Sequence, residues 1–358
     1  LDWKPGEKSL KKVTVVPGDG IGPEVVGSAC AIIKASGAKV EFEEVLVGLR
    51  AEKELGTPLP VSVLESIERN GLALKGPTQT PFGGSYRIYI ERMRGGKEWR
   101  ADYPSIAIAL RKELGLYVNV RPVKNYPGVA SRYDNVDLVI FRENSEDLYV
   151  GNERMIDENT AEAIKRITRG ATERTARYGF EYLKKTGRKK MTIGHKANVL
   201  KMTDGLFLKA GQDVAKAYPG IECDARVIDA LCMELVIKPE TFDGLLLANL
   251  FGDIVSDLAA GLVGGLGVAP GANVGETCAM FEAVHGSAPD IAGKDIANPM
   301  AVILSGVLML RHIGENDAAN RIDAALTKVL AEKKHVTRDL GGTAGTRQFT
   351  DAIIAKIK

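Results

Sequence analysis

Cysteine is scarce in this chain. Cys30, Cys223, Cys232 and Cys278 are the only four in 358 residues, widely spaced and with no CxxC pair. That usage speaks against a disulfide framework or a zinc site and fits reduced, mostly buried thiols in a reducing compartment. Excess charge is also missing. The 48 Lys and Arg nearly balance 46 Asp and Glu, for a net charge of +2, so nothing points to nucleic acid or an anionic membrane as the main partner. No apolar run reaches the length of a membrane span. The first residues, Leu1-Asp2-Trp3-Lys4-Pro5, lack the hydrophobic core of a signal peptide, and without a Met they read as a trimmed or processed end. Two phosphate-binding signatures are absent as well, GxGxxG and GxxxxGK followed by Ser or Thr. Gly18-Asp19-Gly20-Ile21-Gly22-Pro23 comes near the first but has the wrong spacing, which disfavours a Rossmann site.

What is present is ordinary globular material. Hydrophobic residues make up 45% of the chain, and the length suits about two domains or one large α/β unit. Val13 to Val16 is a β-branched run that ends in the Gly-rich turn, and Pro23-Glu24 then open a helix, with Pro in the first turn. Strands are expected over 39–47, 72–74, 136–141, 191–193 and 244–248. Helices are expected over 61–70, stopped by Gly71, over 160–185 and over 302–312. The Gly-rich stretch 261–275 reads as a loop. Strand and helix alternate throughout, so the fold class is α/β with a mainly parallel sheet. The segment from Ser85 to Pro104 stands out, with Arg87, Arg92, Arg94, Lys97 and Arg100 around Gly95-Gly96 and Trp99. It reads either as an exposed insertion or as a flexible active-site lid.

Three groups of residues can carry chemistry. Asp253 and Asp257 are four apart near a helix start, hence on one face. Paired Asp there are commonly caps, but two adjacent carboxylates repel unless a cation lies between them, and hard oxygens suit Mg²⁺ or Mn²⁺. Arg111, Arg121 and Arg142 each sit near the end of an apolar segment. Converged, they would grip a di- or tricarboxylate bidentately; separate, they are surface arginines. Tyr149 and Lys196 could pass protons if placed beside a metal and arginines. The turn-rich loop beginning His285-Gly286-Ser287-Ala288-Pro289-Asp290 could embrace an adenosine.

In order along the chain, these segments resemble the isocitrate/isopropylmalate dehydrogenase family of β-decarboxylating dehydrogenases, and within it the NAD-dependent isocitrate dehydrogenases. The most specific block is Asn249-Leu250-Phe251-Gly252-Asp253-Ile254-Val255-Ser256-Asp257, followed by the Gly-rich stretch and His285 to Pro299. The resemblance implies large and small α/β domains interleaved in sequence with a non-Rossmann nucleotide site. The large domain would be 1–115 plus 264–358, on the cofactor side. The small domain, 116–263, would carry dimerisation, substrate and metal, with a clasp-like segment at 148–172. Asp253 and Asp257 would bind the metal together with Asp229 from the second subunit of a homodimer. Arg111, Arg121 and Arg142 would hold substrate carboxylates, and Ser105 the carboxylate that distinguishes substrates. Lys196, also from the partner, would take the hydroxyl proton, and Tyr149 would protonate the enol left when CO₂ departs. Thr80 and Asn198 would lie near the nicotinamide. His285, Gly286, Ala288, Asp290, Ile291 and Asn298 would form the adenosine loop.

The implied activity is oxidative decarboxylation of isocitrate to 2-oxoglutarate, a tricarboxylic acid cycle step, in the cytoplasm or, as the alternative, the mitochondrial matrix. NAD is the expected cofactor, because Asp290 can bind ribose hydroxyls and repels a 2′-phosphate; NADP-using relatives place Lys and Tyr where this chain has Asp290 and Ile291. Lys75 to Pro81 looks like isocitrate enzymes. The isopropylmalate pattern, a Glu and paired Leu, is replaced by Pro104, Ala107 and Ile108. Isocitrate enzymes usually carry Asn at position 107, however, and Gly115-Leu116 suits homoisocitrate dehydrogenases. Homoisocitrate or another 3-substituted malate therefore stays open as substrate. A non-catalytic regulatory subunit is the third reading, opposed by the presence of Tyr149, Lys196 and all three Asp.

Overall fold

The computed structural model describes residues 10–80 and 87–358. Ser85, the expected start of the charged segment, lies outside them. Two compact units share the chain: Leu1–Gly115, Tyr126–Ala130 and Leu266–Lys358 form the first, and Leu116–Asn125 with Ser131–Gly265 the second.

In the first unit five strands lie in the order Pro270–Val274, Ala279–Ala283, Leu72–Lys75, Lys11–Val16, Val40–Glu44. The first pair is antiparallel and the others are parallel. Leu72–Lys75 is buried along its whole length, as a strand covered on both faces must be. The helix Met300–His312 packs on the first two strands and on the helix Gly22–Ala35. The helix Val61–Asn70 ends at Gly71, whose φ of 69° only glycine adopts without strain.

The turn after the first strand is a knot of backbone. A Cβ on Gly18 would lie 2.1 Å from the Pro77 carbonyl oxygen, and one on Gly20 would lie 1.9 Å from that of Ser287. Asp19, 6% exposed, accepts hydrogen bonds from the amides of Leu49 and Gln79. Its Gly residues and its acid thus fix three loops to one another.

In the second unit the order is Glu222–Val227, Lys190–His195, Gly244–Leu247, Asp137–Glu143, Val118–Lys124. Only the last pair is antiparallel. The helices Arg169–Thr186 and Asn249–Leu262 both pack on Asp137–Glu143.

Four expectations need correction. The helix expected over 160–185 begins at Arg169, because the Thr168 hydroxyl caps it by accepting from the Ala171 amide. Thr160–Ala163 instead pairs antiparallel with Glu153–Asp157 in an exposed hairpin. The Gly-rich stretch 261–275 holds the fully buried strand Pro270–Val274, since small residues pack closely there. The charged segment is a hairpin, Ile88–Arg94 with Lys97–Tyr103, turning through Gly95 and Gly96 at φ 59° and 78°. It is docked rather than loose: Ile88, Ile90 and Tyr103 are buried, Arg92 binds Glu68 and Glu113, and Trp99 donates to Glu113. Finally, of the free cysteines only Cys278 is buried; the other three are half-buried.

Candidate active site

The second unit gathers five of the expected site residues. The penultimate residue of the strand Asp137–Glu143 is Arg142, which is 1% exposed. Its Nε donates to the carbonyl and side-chain oxygens of Asn249 at 2.9 and 3.0 Å, and its Nη1 pairs with Asp253. The Arg142 stem lies directly on Gly252, where a Cβ would come within 2.5 Å of Cγ. Arg121, on the antiparallel neighbour strand, reaches Asp253 at 3.3 Å and Asp257 at 3.5 Å. The helix Asn249–Leu262 places both carboxylates on one face, with side chains 36% and 55% exposed. Tyr149 sits on a single turn, Asp147–Val150. Its hydroxyl bonds Asp253, and the Arg142 guanidinium lies 4.8 Å from its ring centroid.

Electrostatics follow from this crowding. Burial, reinforced by the hydrogen bond to Asp253, raises the Tyr149 pKa against the pull of Arg142. Asp257 is also raised, by partial burial and by the charge of Asp253, while Arg121 opposes the shift. Partial burial, with a second carboxylate beside it, disfavours the charged form of Asp257, and a cation between the two would relieve both effects. The donors are hard oxygens with no sulfur or imidazole, so they fit Mg²⁺ or Mn²⁺. Two carboxylates do not complete such a site, and among the described residues no three His, Cys, Asp or Glu of one chain converge.

Asp229 and Lys196 form a separate pair. Lys196 Nζ binds Asp229, which opens the helix Ile228–Ile237, and this bond lowers the Asp229 pKa. The Asp229 side chain is 68% exposed. Asn198 lies exposed two residues beyond Lys196.

The first unit holds the other residues. Ser105 caps the helix Ile106–Glu113 by accepting from the Ile108 amide, so its hydroxyl hydrogen is free to donate. Arg111, in the last turn, binds Glu282 at 3.2 Å, and its buried Nε has no partner among the described residues. Glu282 also takes Lys75 at 2.8 Å and Asn273 at 2.8 Å. Although burial pushes the other way, Lys75 and Arg111 hold the pKa of this nearly enclosed carboxylate far below the usual range. Thr80 is half-buried and follows Gln79, whose amide is held by Asp19.

In the expected adenosine loop, His285 Nδ1 bonds the Gly286 carbonyl at 3.0 Å. Burial lowers the His285 pKa, and its buried Nε2 has no partner among the described residues. A neutral ring with an open acceptor suits a nucleotide donor group. Ala288 takes a positive φ of 37°, Asp290 is exposed and Ile291 half-buried. Asn298 donates to Asp339 at 2.8 Å. Sequence reasoning missed Glu282, Asp19 and Asp339. Only Asp19, an acid between two glycines of a turn, left a local signal.

Residues 12–353 match the family described as isocitrate/isopropylmalate dehydrogenase. The mitochondrial NAD isocitrate dehydrogenase catalytic subunit 5 of Arabidopsis thaliana is 47% identical over 341 residues, covering 95% of this chain and 87% of that protein. The chloroplastic 3-isopropylmalate dehydrogenase of Solanum tuberosum is 46% identical over 327 residues, covering 91% and 87%. Among solved structures, isocitrate dehydrogenase from Methylococcus capsulatus superposes with a TM-score of 0.89 at 47% identity, over 97% of this chain and 99% of that one. With matches that span the whole fold and a site of acids, arginines and a tyrosine, the chain belongs to the isocitrate/isopropylmalate dehydrogenase family and is a decarboxylating dehydrogenase.

Proposed function

We propose that the protein oxidises isocitrate to 2-oxoglutarate and CO₂, with NAD as hydride acceptor and Mg²⁺ or Mn²⁺ bound. The observation that carries this reading is Tyr149 bonded to Asp253 between two nearly buried arginines. An acid, a metal-type carboxylate and two carboxylate binders thus share one cluster. Arg121 and Arg142, with Arg111, hold substrate carboxylates, and Ser105 donates to the one that differs among substrates. Asp253 and Asp257, with Asp229 of a partner subunit, would hold the cation, which supplies Lewis acidity to the substrate hydroxyl and, after oxidation, to the ketone. Lys196 of the partner takes the hydroxyl proton. Tyr149, kept protonated by its surroundings, delivers a proton to carbon once CO₂ has left. The loop from His285 to Asn298 takes adenosine, with Asp290 on the ribose, and Thr80 and Asn198 face the nicotinamide. In this reading the first unit carries the adenosine loop together with Ser105 and Arg111, and the second carries the metal carboxylates, Arg121, Arg142 and the dimer contact.

A second copy is supported by surface chemistry. The helix Ile228–Ile237 is apolar nearly all round, yet Met233, Val236 and Ile237 are 54%, 42% and 65% exposed. Met155 and Ile156 of the exposed hairpin are 62% and 56% exposed. A helix of that composition normally lies buried. Sedimentation of the purified chain should give a dimer or a multiple of it; a monomer at micromolar concentration would remove the shared site. The relative named as one subunit among several makes a mixed assembly the competing outcome.

The 3-isopropylmalate relative and Ala107 favour a different 3-substituted malate as the second reading. Side-by-side turnover of isocitrate, homoisocitrate and 3-isopropylmalate by the chain alone, with NAD and with NADP, decides. Highest kcat/KM on isocitrate with NAD is expected. Faster turnover of another acid overturns the substrate, and none at all returns the non-catalytic subunit. Isocitrate dehydrogenase relatives from Arabidopsis thaliana, Drosophila melanogaster and Homo sapiens are named as mitochondrial, which supports the matrix as the compartment.

A further inference from the structure

Lys165 lies outside every role assigned above, yet it joins two of them. Its side chain is 14% exposed. Nζ stands 2.6 Å from Asp204 and 3.7 Å from Asp147, two acids whose side chains are 2% and 0% exposed. It also lies 4.5 Å from the ring centroid of Phe251, beside the start of the Asp253 helix. One ammonium therefore compensates two buried acids that would otherwise repel.

Each acid goes on to hold a reacting segment. Asp204 accepts from the Lys196 amide at 2.7 Å. Asp147 opens the turn that carries Tyr149. Its φ of 73° is uncommon for a residue with a side chain, and such a backbone persists only where its surroundings over-determine it. They do so here. The Asp147 amide donates to the Arg166 carbonyl, next to Lys165, and its carboxylate accepts from the Leu250 amide at 3.0 Å, at the first turn of the Asp253 helix.

We propose that Lys165 is a positioning residue that, through Asp147 and Asp204, sets the Tyr149 turn and the Lys196 loop for proton transfer. The proposal rests on the proton roles given to Tyr149 and Lys196 above. Arg121 and Arg142 are held by other partners, so substrate binding should be largely spared while the proton steps slow.

Lys165→Met in the full chain, assayed with Mg²⁺, should lower kcat by about 10²-fold, the usual cost of a misplacement near 1 Å. KM for isocitrate should stay nearly unchanged, and the solvent deuterium isotope effect on kcat should grow. A smaller folded fraction alone lowers kcat without touching the isotope effect. Lys165→Arg, which returns the cation, should recover part of the rate. If Lys165→Met does not fold, Asp204→Asn keeps the acceptor for the Lys196 amide while removing the charge facing Lys165, and the same readouts apply. A folded variant with wild-type kcat and isotope effect overturns the proposal. Tyr149→Phe and Lys196→Met separate the two levels. If these leave turnover intact, the proton roles fail and this inference goes with them. If they abolish it while Lys165→Met does nothing, only the inference fails.

Discussion

Two clusters of arginine and carboxylate, one in each unit, differ in a way that separates scaffold from site. In the first unit Glu282 is nearly enclosed and is met by Lys75, Arg111 and Asn273. Its charge is answered within the chain. In the second unit Asp253 and Asp257 stay partly open to solvent despite two arginines nearby, and Asp257 is raised rather than lowered. A carboxylate that is desolvated in part, crowded by another and still open on one side is arranged for a ligand that arrives from outside. A closed carboxylate with cations on it is arranged to hold a neighbour in place, in this case Arg111.

The sharpest way to break that contrast is at Asp253. Asp253→Asn should abolish metal-dependent oxidation, by roughly 10³-fold or more in kcat, as expected when a Lewis-acid site loses a ligand. NADH formation under excess Mg²⁺ measures it, and thorough chelation of the wild type should do the same. Activity that survives either treatment would move Asp253 to the scaffold class. The next largest effect should come from the closed cluster. Glu282→Gln leaves Lys75 and Arg111 buried beside a neutral amide, which should cost about 3–5 kcal/mol of stability, read from denaturant midpoints. Arg111 would also lose its anchor, so KM for the acid should rise.

The same contrast explains what the sequence discloses. Asp253 with Asp257, and Arg142 at the end of its strand, are legible because spacing four on a helix and a charge ending an apolar run are local patterns. Glu282 is not, because it meets Arg111 across 171 positions and its own strand reads only as alternating core. Lys165, Asp147 and Asp204 escape notice for a related reason: none has a motif, and the positive φ of Asp147 leaves no trace in composition. The helix boundary at Thr168 is hidden inside the helical pattern of 160–185, because propensity alone does not count the hairpin that claims Thr160–Ala163. The strand, turn and helix around Gly18 to Gly22 were readable as elements, whereas the binding of Asp19 to two other loops was not.

A smaller and more local test concerns how Arg142 is seated. Gly252→Ala would place a methyl 2.5 Å from Arg142 Cγ and 2.7 Å from its Cβ. Because that stem is buried, the arginine must shift away from Asp253. The overpacking should cost about 1–3 kcal/mol. KM should rise more than kcat falls if Arg142 holds a substrate carboxylate as proposed, since it moves while Tyr149 stays on its own turn. Equal losses in both would mean that the whole helix has moved, and would merge the two sides of the comparison.

The smallest effect expected is one of pH, and it compares buried acids with and without a cation. Glu146 is 6% exposed and accepts from the amide and hydroxyl of Thr168. Burial pushes its pKa up to about 6 from 4.5, with Glu143 and Asp147 adding to the rise and the Thr168 bonds opposing it. Folding therefore takes up protons between those two values, and this group's contribution to stability falls as pH rises through that window. Glu282 has the opposite sign. It is held low, so its contribution is present above 4.5 and is lost as pH falls further. Glu146→Gln should flatten the slope of unfolding free energy between about pH 4.5 and 6, measured by urea titration at successive pH values. Glu282→Gln should leave that window alone and flatten the slope below it. If Glu146→Gln leaves the upper slope intact, Glu146 is not the group that titrates there, and the cap on the helix Arg169–Thr186 does not depend on its charge.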